Sequence, residues 1–252
     1  MRALLRTILT AFFTALLLLL AGCGGSGGTS SGADPTVYFV NASADSGSLN
    51  YLLNGSAKFS AAAYLAHSAD FTTIPFIADA DGGYDIVTQD AADSSELDAE
   101  NSVFTLGSDT IIVTVGTKNF VTGEEIKRLR SVPLKVDRTA PNGNKARLYI
   151  VHGYVREVGQ STPQIVFQNA GDNPQFFTSG ISFGGTTSLT VDSGTADWEA
   201  KRQDATADVI IASATVTLDP SSVYLVLVSG IENDPDTAKL PALTFIKLPT
   251  LP

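Results

Sequence analysis

The chain predicts an all-β protein: two tandem immunoglobulin-like β-sandwich domains behind an N-terminal leader and a flexible tether. Three observations carry that expectation. Apolar residues fall in short β-branched and aromatic runs separated by Gly, Pro, Asn and Asp clusters. The chain matches itself at an offset of 111 to 114 residues, the mark of a duplicated unit. Helical periodicity is nearly absent, the one candidate being Glu124–Arg130 (EEIKRLR), a short segment read as a solvated connection between two final strands.

The first 22 residues place Arg2 and Arg6 before an apolar run from Ile8 to Leu20, then small residues. That order is a secretory signal, and the unbroken apolar stretch is too short to span a bilayer comfortably. Leu20-Ala21-Gly22-Cys23 resembles the lipobox of bacterial lipoprotein leaders. The resemblance implies that residues 1–22 are removed and that Cys23 becomes the acylated N-terminus. It also points to the outer membrane, because Gly24 lacks the acidic side chain associated with inner-membrane retention. The alternative is an ordinary signal peptide with a chance cysteine. Against it, Cys23 is the only cysteine, and a free thiol in an oxidising compartment is a liability that a lipid thioether removes. Residues 23–35 then form the lipidated cysteine and its Gly/Ser tether, with Gly24–Asp34 (GGSGGTSSGAD) carrying nothing to bury.

Without residues 1–22 the chain loses two arginines and no acid, leaving 14 basic against 26 acidic side chains, a formal charge of −12. A basic footprint for nucleic acid is absent. Electrostatic adhesion to anionic lipid is equally disfavoured, so the membrane is expected as a partner through the lipid anchor only.

The repeat sets the domain boundaries. Val37-Tyr38-Phe39-Val40 lies over Leu148-Tyr149-Ile150-Val151, Tyr84 over Trp198, and Gln89-Asp90-Ala91 over Gln203-Asp204-Ala205. Thr110–Val115 lies over Val223–Val228, and Pro133-Leu134-Lys135 over Phe245-Ile246-Lys247. These matches are collinear and predict domains at 36–137 and 147–252, joined by a linker over 138–146 whose Arg138–Lys145 stretch (RTAPNGNK) is a polar hinge. Strands are expected in the first half near 36–41, 49–53, 57–64, 71–77, 84–88, 102–106, 110–116 and 131–136. In the second half they are expected near 147–151, 163–168, 179–183, 187–191, 198–202, 207–218, 223–229 and 243–248. Asn54-Gly55 is the best turn, since both central residues of a type I′ hairpin need positive φ. Seven or eight short strands in about 100 residues suggest an immunoglobulin-type sandwich.

Val40-Asn41-Ala42-Ser43-Ala44-Asp45, followed by Leu49–Gly55 and then Gly82, Gly83 and Tyr84, resembles the family called domain of unknown function 4397, whose members are envelope or secreted proteins with Ig-like repeats. Ala44 stands where that family usually has proline, and the second half offers His152-Gly153 where Asn41-Ala42 stood. The resemblance implies a fold and no established activity.

No catalytic constellation is visible, and no cofactor is expected. His67 and His152 are the only histidines and sit at non-equivalent repeat positions, so both are read as structural or surface residues. Neither Gly82-Gly83 nor Gly184-Gly185 has a phosphate-loop lysine or a following helix. Asp79, Asp81 and Asp85 surround a turn, and Asp90, Asp93, Glu96, Asp98 and Glu100 crowd the next loop; calcium ligation and a solvated acidic surface are both open readings. An EF-hand fails, because Gly83 and Tyr84 occupy a ligand position and the turn-glycine position. Tyr84 and Trp198 share a repeat position and are read as core packing ahead of a sugar-binding platform. The functional expectation is a non-enzymatic, lipid-anchored envelope protein that acts as a structural or protein-binding module. The alternative is carbohydrate or peptidoglycan binding through loop surfaces.

Overall fold

The first hairpin shows how local sequence sets the register. Asn54 and Gly55 adopt φ of 48° and 73°, the positive pair that a two-residue turn demands, and they join β2 (Leu49–Leu53) to β3 (Ser56–Ala62). The computed structural model describes residues 32–251 apart from 78–82, 121, 158, 172 and 205–206. The leader, Cys23 and the tether through Ser31 lie outside the described residues, as do Asp79 and Asp81.

The first repeat continues β1 (Thr36–Asn41), β4 (Thr72–Thr73), β5 (Tyr84–Asp90), β6 (Glu96–Ser102), β7 (Asp109–Val115) and β8 (Arg130–Val136). They form two four-stranded sheets, ordered β4-β1-β7-β8 and β3-β2-β5-β6. The second repeat contains β9 (Lys145–Val155), β10 (Ile165–Asn169), β11 (Thr186–Asp192), β12 (Gly194–Gln203), β13 (Asp208–Leu218), β14 (Ser222–Ile231) and β15 (Ala242–Leu248). Its sheets are β11-β9-β14-β15 and β10-β12-β13. The protein is all-β, built from sandwiches as expected. The wiring is its own: immunoglobulin constant-type domains divide as ABED and CFG, whereas here the first strand of each repeat pairs parallel with the penultimate one, β1 with β7 and β9 with β14.

Each repeat has an interior between its two sheets. In the first, Val37, Phe39, Leu49, Tyr51, Ile86 and Ile112 meet; in the second, Leu148, Ile150, Phe167, Trp198, Tyr224 and Val226 do. A third cluster joins the repeats. Tyr38, Val40, Ile111, Val113 and Leu134 from the first pack with Tyr149, Val151, Leu225, Leu227 and Ile246 from the second. The β1-containing and β9-containing sheets therefore lie face to face, and the molecule is four sheets deep with its two inner sheets covered on both sides. This explains why all seven residues of β7 are buried and why β14 is buried from Ser222 to Gly230. A strand covered on both faces reads as a continuous apolar run, while the outer β2, with its BiBiB pattern, alternates.

This shared interior corrects the expected hinge. Ala33–Pro252 form one compact unit, and Arg138, at the start of the supposed linker, is 7% exposed. Its guanidinium donates to Asp109 Oδ1 at 3.0 Å and to the Pro249 carbonyl at 3.1 Å, and its Cζ lies 4.0 Å from the centroid of the Phe71 ring. Arg147 pairs with Asp137 at 2.7 Å across the rest of the segment. Polar composition misled because the charges are used internally.

Three smaller expectations also change. The sixth strand is Glu96–Ser102 and not 102–106: its acids line the exposed edge of a sheet, where charge deters edge-to-edge pairing. The stretch 179–183 is no strand; only Ile181 bridges to Ile165. The candidate helix is one 3-10 turn, Glu125–Lys127; Glu125, Ile126 and Arg128 are exposed, as a solvated connection requires, but Lys127 is 3% exposed. The Lys127 ammonium donates to Glu124 at 3.0 Å and to the Glu157 carbonyl of the second repeat at 2.9 Å.

Candidate functional site

Strand β1 runs from the chain's entry at Thr36 to Asn41, and the segment that follows builds the opposite end of the first repeat. Asn41 is fully buried, its amide donating to the Ala62 carbonyl at 2.9 Å and the Gly47 carbonyl at 3.1 Å while its Oδ1 accepts from the Ser43 amide at 3.0 Å. Ser43 donates to the Gly116 carbonyl at 2.8 Å, and Asp45 accepts the Lys118 and Asn119 amides at 2.8 and 3.1 Å. The Asn41–Asp45 segment thus staples the β1–β2 loop to the loop after β7.

Gly116, just after β7, lets the Lys127–Arg128 backbone pass close by. Its φ is +99°, and a Cβ there would sit 2.6 Å from the Arg128 carbonyl oxygen, a closeness no other residue tolerates. Gly230 repeats the arrangement in the second half, with φ +113° and the Leu240 carbonyl at 2.5 Å.

Beside the staple lies a cleft of about 550 Å³ lined by Asp45, Ser48, Asp90, Ala91, Lys118 and Asn119, among others. Lys118 pairs with Asp90, and that contact holds the Asp90 carboxyl below the ordinary carboxylate range and Lys118 above the usual lysine range. A second depression of about 170 Å³ shares Asp45 and Asn119 with the cleft and extends over Phe120 and Lys127 to Arg156 and Ile231 of the second repeat. A third, of about 290 Å³, is lined by Tyr154, Arg202, Ile210 and Glu232. Arg156 Nε lies 3.1 Å from Glu232 and so connects the last two. The three depressions together form an interrupted trough along the loop end of both repeats, opposite the end at which Thr36 enters.

The two repeats finish this end differently. In the register that places Asp90 over Asp204, Lys118 corresponds to Glu232. Glu232 accepts from Arg156 and Arg202, Arg202 also reaches Asp204 at 2.8 Å, and Tyr154 lies beneath, fully buried. Burial works against ionising Glu232, but the two arginines outweigh it and hold the carboxyl low. Burial pushes the Tyr154 phenol up to about 12.

Asp85 is exposed at the start of β5, its Oδ1 accepting from Asn101 at 3.2 Å, and its companions Asp79 and Asp81 lie outside the described residues. Asp90 and Asp93 form turns by accepting the Ala92 and Ser95 amides at 2.8 and 2.9 Å. Among the described residues, no group of three or more His, Cys, Asp or Glu is placed to hold a metal ion. Tyr84 is 7% exposed and packs edge-on against Phe104, while Trp198 is 1% exposed and stacks on Phe167 at 5.2 Å. Both aromatics belong to the interior, as the packing reading has it.

The histidines are apart. His67 is exposed, with Nδ1 2.6 Å from the Tyr38 hydroxyl. His152 is fully buried on β9, its Nδ1 2.9 Å from the Ile181 carbonyl and its Nε2 without a partner among the described residues. Burial lowers its pKa from 6.5 to about 4. The folded protein keeps this ring neutral where the unfolded chain takes up a proton, so its stability is intact above pH 6.5 and falls as pH drops toward 4. The loss is about 3 kcal/mol at one pKa unit per ~1.4 kcal/mol. Chemical denaturation of wild type and His152→Leu at pH 7 and pH 4.5 checks this: the substitution should flatten the difference, and an unchanged difference would assign the acid sensitivity elsewhere.

No family model and no curated protein matches the chain. Among solved structures, a carbohydrate-binding module of family 26 from Eubacterium rectale, crystallised with maltoheptaose, is 12% identical over 85% of this chain and 97% of its own, with a TM-score of 0.25. A candidate cell adhesion protein from Bacteroides ovatus is 10% identical over 87% of this chain and 97% of its own, with a TM-score of 0.24. At those scores neither likeness bears on what this chain binds.

Proposed function

We propose that the chain is a non-enzymatic, lipid-anchored module of the cell envelope, probing its surroundings with the polar trough and contacting another envelope component there. The observation that carries this reading is positional. The chain enters the folded unit at Thr36, and the trough is built at the far end of β1 by Asn41–Asp45 and its neighbours. Attachment at Thr36 would leave the opposite end of a body stiffened by a shared interior, where the trough lies, clear of the connection. Acyl chains contribute about 0.8 kcal/mol per buried CH2, so multiple acylation at Cys23 would supply the hold that a chain of this charge cannot obtain electrostatically.

Two measurements in producing cells test it. Cys23→Ala should move the protein from the membrane to the soluble fraction, and retention in the membrane would overturn the anchor. A photo-crosslinking residue at exposed Asn119 should give adducts that the same residue at exposed Lys58, on the outer strand β3, does not. Ala92→Trp, which fills the cleft from an exposed position, should abolish those adducts. Equal adducts from both positions, or none at Asn119, would refute the trough as the contact surface.

A further inference from the structure

We infer that the first-repeat cleft is a binding site for a neutral, polyhydroxylated ligand, a glycan chain entering between Ser48 and Asn119 over the Asp90–Lys118 pair. The inference rests on the trough being the contact surface and deepens that reading by naming the ligand's chemistry.

The groups facing the cleft decide the class. Asp45 is held by two backbone amides and Asp90 by Lys118 and the Ala92 amide, which leaves each carboxylate with lone pairs to spare. Lys118, with a side chain 32% exposed, has three N–H donors and spends one on Asp90. The side chains of Ser48 and Asn119 make no hydrogen bond to any described residue. An anionic ligand would meet two carboxylates, and a cationic one would meet the Lys118 ammonium beside them. A hydroxyl both donates and accepts. Neighbouring hydroxyls on a sugar ring can therefore donate to the carboxylates and accept from Lys118, Asn119 and Ser48 without disturbing the pair. Half-buried Phe120, beside Asn119 in the adjoining depression, supplies an apolar face for the ring's C–H groups.

The second repeat provides the internal contrast. Its corresponding end places the Arg156–Glu232–Arg202–Asp204 network where the first repeat has the Lys118–Asp90 pair, and every charge there is already paired. Its depression is about 290 Å³ against 550 Å³. The first repeat's end is thus the larger depression with a single ion pair, and the second's is smaller and crossed by a four-residue network.

The test uses the processed, detergent-solubilised protein on an array of neutral glucans, mannans and chitooligosaccharides, with sialylated and uronic-acid glycans as anionic arms. Retention of a neutral set is expected. The Ser48→Ala/Asn119→Ala double variant, which removes no side-chain hydrogen bond among the described residues, should bind that set at least tenfold more weakly at an unchanged unfolding temperature. Thr217→Ala, on the outer face of β13, should bind as wild type does. Preference for the anionic arms, no retention at all, or equal binding by the double variant would overturn the inference. If cells give Asn119 adducts while the array retains nothing neutral, the ligand class is wrong and the contact surface stands. If the adducts are absent as well, both fall.

Discussion

Arg138→Ala should cost the protein about 3–5 kcal/mol, the range for leaving one member of a buried ion pair uncompensated. Asp109 and Arg138 are each about one-tenth exposed at the side chain, with Nε and Oδ2 2.9 Å apart. Thr36 Oγ1 donates to the same carboxylate, so the pair ties the first strand to β7 as well as to the connection between repeats. The substitution also removes the stacking on Phe71 and the bond to the Pro249 carbonyl near the C-terminus. Urea denaturation of the single variant and of Arg138→Ala/Asp109→Asn checks the cause. The double variant should recover part of the loss, because the stranded charge is gone. A single variant within 0.5 kcal/mol of wild type, the ordinary scale of a surface change, would show that the connection is a free hinge after all.

The second large effect lies in the interior between repeats. Leu225→Ala should destabilise the whole unit by about 2–5 kcal/mol, the range for truncating a buried leucine. Leu225 is fully buried on β14 and faces Ile111, Val113 and their neighbours from the first repeat. The loss should therefore be shared by probes in both halves. Hydrogen exchange at β2 and β5 amides, far from the substitution, is expected to accelerate in step with that at β10 and β12. Acceleration confined to the second repeat would mean that the repeats unfold separately.

Much of this architecture was legible in the residues, and the failures share one physical cause. Tyr38 and Tyr149 were aligned by sequence and both face the inter-repeat interior; Tyr84 and Trp198 were aligned and both are core. The sequence repeat aligns β7 one residue out of step with β14. Thr110 was set over Val223, yet Val37 pairs with Thr110 and Leu148 with Tyr224, so Thr110 corresponds to Tyr224. A one-residue slip turns every side chain to the other face, but both faces of these strands are buried, so either register looks equally apolar. Gly116 and Gly230 carried the missing signal: aligned as crossing-point glycines, they give the observed register.

The same double burial hid the shared interior. β7, with its DTIIVTV sequence, looks like any apolar strand until one asks what covers its second face. The hinge expectation rested on polar composition, and composition does not say whether Arg138 faces water or Asp109. The binding end was legible only in part. Asn41–Asp45 stands out as a motif, but Lys118 and Asn119, 73 and 74 residues beyond Asp45, reach it only through the fold. The acidic run drew attention to Asp90 for calcium, whereas its partner is an ammonium.

The two repeats form one body through a common interior. Differential scanning calorimetry of the processed protein tests it most directly. One transition is predicted, with the calorimetric enthalpy equal to the van't Hoff enthalpy, as for a single cooperative unit. Two resolved transitions, each with the enthalpy of a domain of about 100 residues, roughly 60–80 kcal/mol, would contradict it.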